Sequence, residues 1–425
     1  MPFKRWGVVL PAMVLATLGP VSAEAQQCTL LRDLMQIGIG QSPEVAVAQS
    51  RLDQAEADVD EARSLRLPQV TSFGRTGVGD TGLTSSQIEN QVGLRVSQRV
   101  WDFGDSRLAI DAAEFNSESL AYSLASQEAQ TAFTIAHAYL IGLEAGEMID
   151  VIAERRDYFA RQETAVIELL ENGGATRAER AQVSAQRAEA EADVLELQSQ
   201  QQQAESRLRA WTGLLVATCP VGQVVGELEG GLSGLETVDQ LWEAVFSRNP
   251  EIASAQRALR SLDAQRERER RERLPVVDVV GISSYTYDDQ REDWEARDRV
   301  GIDVSVPLYT GNAIGARRER AQARLRQSEN ELRQLQRDLG ERAEVSYRRV
   351  LSLEAQLARR MDVARSQREY FDAIEGEFEF GLGTLPDLVE ARLAYETAAL
   401  DVVRLQFELA RERLELLLLA DRLPL

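Results

Sequence analysis

Arg299-Val300-Gly301-Ile302-Asp303-Val304-Ser305-Val306-Pro307-Leu308 places an apolar side chain at every second position. A period of two marks a strand with one wet and one dry face. Gln91-Val92-Gly93-Leu94-Arg95-Val96-Ser97 shows the same alternation about 208 positions earlier. Each stretch has a partner upstream across a polar loop, residues 69–77 and 276–287, although Gly74, Gly77 and Gly79 dilute the first. The chain therefore holds two hairpins, about 69–100 and about 276–309, of strands roughly ten residues long. That length crosses a bilayer when the strands tilt.

Around the hairpins everything is written twice. Ser42-Pro43-Glu44 recurs as Asn249-Pro250-Glu251, Leu67-Pro68 as Leu274-Pro275, and Gly173 with Thr176 as Gly381 with Thr384, at offsets of about 207 or 208. Gly104 aligns with Gly311 after a one-residue slip. The spacing predicts two structural repeats, residues 26–214 and 237–425, joined by a connector at 215–236.

Proline is absent from Gln69 to Cys219 and from Leu308 to Leu385, and both runs are rich in Ala, Leu, Glu, Gln and Arg. Such runs read as long helices, 105–171 and 312–380, each about 100 Å at the usual rise. The shorter helices 44–66 and 176–213 sum to about 92 Å, so end to end they match one long helix. Residues 251–273 and 384–420 form the second short pair, and the tips fall at 172–175 and 380–383. Leu332, Leu335, Leu339, Ala343, Ser346, Val350, Leu353, Leu357, Met361 and Ala364 step by three or four, the stripe of a helix packed on helices. Leu393, Leu400, Val403, Phe407, Ala410, Leu414 and Leu417 continue the theme at heptad spacing.

The 425 residues include 48 Lys plus Arg against 69 Asp plus Glu, a formal charge of −21, which argues against a nucleic-acid partner. His137 is the one histidine, so most metal and triad chemistry is excluded. No nucleophile, base or metal cluster recurs between the copies; no enzyme activity, cofactor or metal is expected. Gly77-Val78-Gly79-Asp80-Thr81-Gly82 fits a dinucleotide string, but no βαβ unit surrounds it, and it reads as a loop between strands.

Lys4 and Arg5, the apolar run Trp6 to Leu18 and Ala23-Glu24-Ala25 form a secretory signal peptide at 1–25. The competing reading, a membrane anchor, is weakened by Pro11, Gly19 and Pro20. Beyond it no run is long and apolar enough for a spanning helix, so any membrane span must use strands. Cys28 and Cys219 are the two thiols of a chain bound for an oxidising compartment, and a disulfide between them is expected, with two unpaired thiols as the alternative.

Four strands cannot close a barrel, and an open edge in lipid leaves backbone groups unpaired. Three chains pooling four strands each give a closed twelve-stranded barrel continued by a helical tube. The expected fold is therefore mostly α with a β-hairpin in each repeat, its long antiparallel helices forming an α-barrel that continues a trimeric twelve-stranded membrane β-barrel; the family resemblance below places the β-barrel in the outer membrane and the α-barrel in the periplasm.

The order and spacing of these landmarks resemble the TolC-like outer-membrane efflux protein family. The likeness includes Val306-Pro307-Leu308-Tyr309-Thr310-Gly311 entering the long helix and Arg207-Leu208-Arg209-Ala210-Trp211-Thr212-Gly213 closing the first copy. The resemblance implies a passive exit duct for efflux or type I secretion, embedded in outer-membrane lipid with most of its mass in the periplasm. It also implies docking to a periplasmic adaptor and an inner-membrane ABC or proton-driven transporter. Cargo is not implied. By match, Asp387 and Glu390 ring the periplasmic mouth and favour cations, with Glu179 the first-copy counterpart of Asp387. Thr384-x-x-Asp387 and Thr176-x-x-Glu179 equally fit helix capping boxes. Gly173 and Gly381 match tip glycines approached by the adaptor, or serve as plain helix caps. Gly383 stands where a family gate uses arginine. Trp101, Phe103, Tyr285, Tyr287 and Tyr309 suit an interfacial aromatic belt, with core packing at the barrel-to-tube junction as the competing reading. The alternative function is a periplasmic coiled-coil scaffold without a pore.

Overall fold

The computed structural model describes residues 30–80, 86–214, 219–288 and 293–424. The signal segment, Cys28 and part of the 77–82 string lie outside them. The first repeat runs α1 (Leu31–Gln41), α2 (Pro43–Ser64), β1 (Gln69–Asp80), β2 (Ser86–Trp101), α3 (Asp105–Glu171) and α4 (Arg177–Thr212). The second follows as α5 (Val221–Gly231), α6 (Val238–Arg248), α7 (Pro250–Arg271), β3 (Val276–Asp288), β4 (Asp293–Ser305), α8 (Ala313–Glu379) and α9 (Leu385–Leu419).

Both α3 and α8 contain 67 residues, about 100 Å of uninterrupted helix. The proline that could have broken them sits at the start of short helices instead. Pro43 and Pro250 occupy the first helical turn, where the missing N–H costs nothing, behind Ser42 and Asn249 caps that accept from Val45 and from Glu251 and Ile252.

Near the sheet, α2 packs on α3, α3 on α7 and α7 on α8; away from it, α4 packs on α3, α3 on α9 and α9 on α8. The helices thus form a single row of four rods, two of them long and two made of short helices in tandem. Its waist is the largest apolar cluster, where Leu31 and Leu34 of α1, Tyr139 and Leu140 of α3, Leu228 of α5 and Phe407 and Leu414 of α9 are almost wholly buried. Cys219 is buried there too, its backbone N–H donating to the Tyr139 hydroxyl at 2.7 Å. It is not a free thiol.

The strands pair in sequence order, β1-β2-β3-β4, all antiparallel, with Val92 opposite Tyr285 and Val279 opposite Ile302. β1 extends to Asp80 in spite of its glycines, because every residue from Gln69 finds a partner on β2. A Cβ on Gly93 would lie 2.6 Å from the Ser283 carbonyl oxygen and 2.7 Å from the Ser284 Cβ, so this position admits only glycine where β3 passes close.

Three expectations change. The fourth strand ends at Ser305, opposite Val276, rather than at 309: its ladder partner stops there and Pro307 has no N–H to donate. Gly104 corresponds to Asn312, not Gly311: Phe103 and Gly104 have φ of 53° and 85°, and Gly311 and Asn312 have 59° and 67°. Toward the far tip the heptad stripe of α9 gives way: Leu393 is only partly buried against the tip cluster, and Leu388, Val389, Ala391, Arg392 and Glu396 are the buried positions. Helices α1, α5 and α6 were not expected, α5 falling inside the connector.

Asn312 is tolerated at its left-handed φ because its short side chain suits that region better than most. Asn312→Gly is expected to leave the thermal midpoint unchanged or slightly higher, and Asn312→Val to destabilise by about 1–2 kcal/mol. Thermal denaturation followed by circular dichroism checks both.

Candidate functional site

Alternation along the strands sorts the sheet into two unlike faces. One carries Val92, Leu94, Val96, Val300, Ile302 and Val304, which remain between 42% and 82% exposed. On the other, Arg95 lies 3.5 Å from Asp303 and Arg99 3.4 Å from Asp278, while the Gln91 side-chain amide donates to the Ser284 hydroxyl at 2.9 Å. A water-soluble sheet would hide the apolar set, whereas here the polar set pairs internally and the apolar set is bare. Trp101 meets Phe103 edge-on at 5.8 Å at one end, and Tyr287 meets Trp294 at 5.7 Å at the other. The ten residues of β3 between those girdles span about 33 Å, which a tilt of about 40° reduces to about 25 Å, the height of a barrel's apolar band. Tyr309 is 90% exposed beyond the end of β4, beside the lower girdle in sequence. Trp294 was missed in the sequence because its strand is otherwise charged there.

The far tips close with one motif used twice. At the first, the Gly174 N–H donates to the Leu169 carbonyl at 2.8 Å and Gly173 to Leu170 at 3.2 Å; at the second, Leu382 donates to Glu377 and Gly381 to Phe378, both at 2.9 Å. This is the Schellman cap, and φ of 76° at Gly173 and 73° at Gly381 explains both glycines locally. A Cβ at either would meet nothing within 4 Å, so the space outside them is open. Phe380 and Leu382 stand 84% and 81% exposed beside Gly381, an apolar tip that no periodicity signals.

Glu179 is held by Thr176. Its carboxylate accepts from the Thr176 N–H at 2.6 Å and its own N–H donates to the Thr176 hydroxyl at 3.2 Å, a complete capping box that depresses its pKa. Asp387 accepts from the Thr384 hydroxyl at 2.5 Å and its N–H donates back at 3.4 Å. Glu390 is exposed and makes no hydrogen bond or ion pair among the described residues. Asp387 and Glu390 lie one turn apart near the start of α9, and Glu179 occupies the matching turn of α4.

Between the waist and the far tips sits a charged core that sequence reasoning missed. Arg155 of α3 bonds Asp193 of α4 and lies 3.1 Å from Glu396 of α9, with Arg155 and Glu396 6% and 4% exposed. One turn away, Arg392 lies 5.1 Å from the Tyr158 ring, 5.3 Å from Phe371 and 5.5 Å from Tyr395. Four helices meet at these ions. The available signal was charge at helix positions where the core period demands apolar residues. Burial raises Glu396 to about 7 despite Arg155 and Arg392, and one of its oxygens has no partner.

An open two-faced sheet carried on long helical rods defines the subunit of a membrane β-barrel with a helical extension. The chain matches the family described as outer membrane efflux protein over residues 34–214 and 241–420, and it belongs to that family. The outer membrane efflux protein BepC of Brucella suis biovar 1 (strain 1330) is 20% identical over 351 residues, covering 80% of this chain and 76% of BepC. The crystal structure of VceC from Vibrio cholerae superposes with a TM-score of 0.76 at 16% identity, covering 92% of this chain and 95% of that one. The Campylobacter jejuni CmeC outer membrane channel gives 0.75 at 14%, covering 97% and 93%. Family membership indicates an outer-membrane location and transport rather than catalysis.

Two outcomes follow from this geometry. Thr176→Ala is expected to raise amide exchange at residues 177–180 about fivefold, since the cap's acceptor is lost, whereas Glu390→Ala leaves tip exchange unchanged. Glu396 in the folded chain keeps its proton up to about 7, while an unfolded carboxyl releases it near 4.5, so its packing is favoured below that window and weakened as pH rises through it. Hydrogen exchange at residues 392–396, corrected for intrinsic rates, is expected to speed up between about pH 5 and pH 8. Glu396→Gln is expected to flatten that response.

Proposed function

We propose that three copies of this chain form an outer-membrane channel-tunnel, a passive exit duct for efflux or type I secretion. The observation that carries it is the open sheet: β1 and β4 are edge strands with unpaired backbone groups, on a sheet whose bare face is apolar. Lipid tolerates no such edge, and three fours close a barrel of workable diameter. The helical row is open at the same two places, so sheet and rods close together, the rods projecting into the periplasm. A pore-free scaffold would have no use for the bare apolar face.

Within that assembly the far tips form the periplasmic mouth. Asp387 and Glu390 contribute six carboxylates to one ring, with Glu179 on the outer hairpin, and a ring of that charge favours cations. Asp387 and Glu179 also cap their helices, so only Glu390 is free of a local duty. Gly173 and Gly381, with Phe380 and Leu382 beside them, suit the docking of a periplasmic adaptor that links the duct to an inner-membrane ABC or proton-driven transporter. The Cys28 to Cys219 disulfide would tie the start of the mature chain to the waist cluster.

Reconstitution in planar bilayers tests the reading. Asp387→Ala with Glu390→Ala is expected to lower the cation preference of the conductance; a selectivity identical to the unmodified channel removes both from the mouth, and no conductance at all removes the duct. On non-reducing gels, Cys28→Ser is expected to abolish the redox-dependent mobility shift, and a shift that survives rules out the pairing.

A further inference from the structure

Beside the sheet, each repeat carries one net sign of charge. In the first, α2 is dominated by Asp53, Asp58, Asp60 and Glu61, and the opening turns of α3 by Asp105, Asp111, Glu114 and Glu118. In the second, arginine takes over, with Arg257, Arg260 and Arg268 on α7 and Arg317, Arg320 and Arg326 on α8. Where the repeats meet inside the chain, unlike signs touch. Arg257 lies 2.6 Å from Glu118 and Arg268 lies 3.1 Å from Asp105. Arg260 covers the Phe115 ring at 6.0 Å, and Ser119 and Ser254 exchange hydroxyl-to-carbonyl hydrogen bonds of 2.9 and 2.8 Å.

The outer flanks of the row, on α2 and α8, repeat that surface with the sign exchanged at three of its positions. Short-helix positions correspond at an offset of about 207, and long-helix positions at about 208, as the paired left-handed residues before α3 and α8 require. Arg257, Arg260 and Arg268 therefore correspond to Ser50, Asp53 and Glu61, and Ala112, Phe115 and Glu118 to Arg320, Ala323 and Arg326. Asp53, Arg320 and Arg326 are exposed and form no ion pair among the described residues. Three unpaired charges on two unpartnered helix flanks are each at the position that its repeat equivalent uses for a seam.

We infer that α2 of one copy docks on α8 of the next in the geometry of the internal α3–α7 seam. Asp53 enters between Arg320 and Arg326 of the neighbouring copy, Arg326 coming level with Ser50. The inference rests on the ring closure proposed above and adds its electrostatic code. Walking round the ring, an acidic repeat is always followed by a basic one, so a misplaced pairing of like repeats meets repulsion.

Two experiments on the full-length protein in outer-membrane fractions decide it. Ser50→Cys combined with Arg326→Cys is expected to give covalent dimers and trimers on oxidation, a ladder absent from either single variant. Asp53→Arg is expected to cut the heat-resistant trimer about tenfold, and adding Arg320→Glu and Arg326→Glu to the same chain to restore it to within about twofold. A trimer that shows neither ladder nor rescue overturns the seam alone. An unmodified protein that runs only as a monomer overturns ring closure itself, and the seam with it.

Discussion

A backbone edge in hydrocarbon has no water to bond, and each unpaired group there costs several kcal/mol. β1 and β4 both present such an edge, on a sheet only four strands wide. Everything else about the chain conforms to that constraint. Duplication supplies a second hairpin, bringing the subunit share to four strands, the number that the proposed ring of three copies completes. The rods inherit the same open row, because each long helix follows a strand and keeps its place in the order. Matched rod lengths then follow: two short helices in tandem cover one long helix of 67 residues, and the row stays flush from sheet to tip.

Duplication brings a second consequence, through the surfaces it copies. A repeat that packs well on its successor inside a chain also packs on its successor in the next chain, since the two seams are geometrically alike. Identical seams would leave assembly ambiguous, with first repeats free to neighbour first repeats. Opposite net charge on the two copies beside the sheet removes the ambiguity at little cost in packing, because the groups concerned sit on helix flanks. The serine exchange of the inner seam, from Ser119 to Ser254, has no counterpart in Gln327 and Val47, so the outer seam depends more heavily on charge.

Much of this was legible in the sequence, and for identifiable reasons. The strands announced themselves because lipid on one side and a polar lumen on the other force a strict period of two. The long helices announced themselves through absent proline, and the tips through paired glycines that a left-handed cap requires. What stayed hidden breaks those rules locally. Asn312 does a glycine's work at φ 67°, so the repeat seemed to slip by one residue there. Arg392 and Glu396 occupy core positions as charges, and a search for apolar periodicity passes them by. The helix α5 is spread over Gly222, Gly226, Gly230 and Gly231, and its stability comes from Val224 and Leu228 seated in the waist cluster rather than from propensity.

The buried ions near the tip have a physical meaning distinct from that of the waist. Around Tyr139 and Phe407 the rods are held by apolar burial, which is indifferent to pH and hard to undo stepwise. Around Arg155 and Glu396 the same helices are held by charges taken out of water, with an oxygen of Glu396 and the Nε atoms of Arg155 and Arg392 left unpaired. Such a cluster is a weak source of stability, since desolvation offsets most of its attraction, but it is specific about geometry. Rods that are apolar at the waist and ionic toward the tips therefore separate two duties along one set of helices. The waist keeps the rods in order, and the tip end can change its packing without disturbing that order.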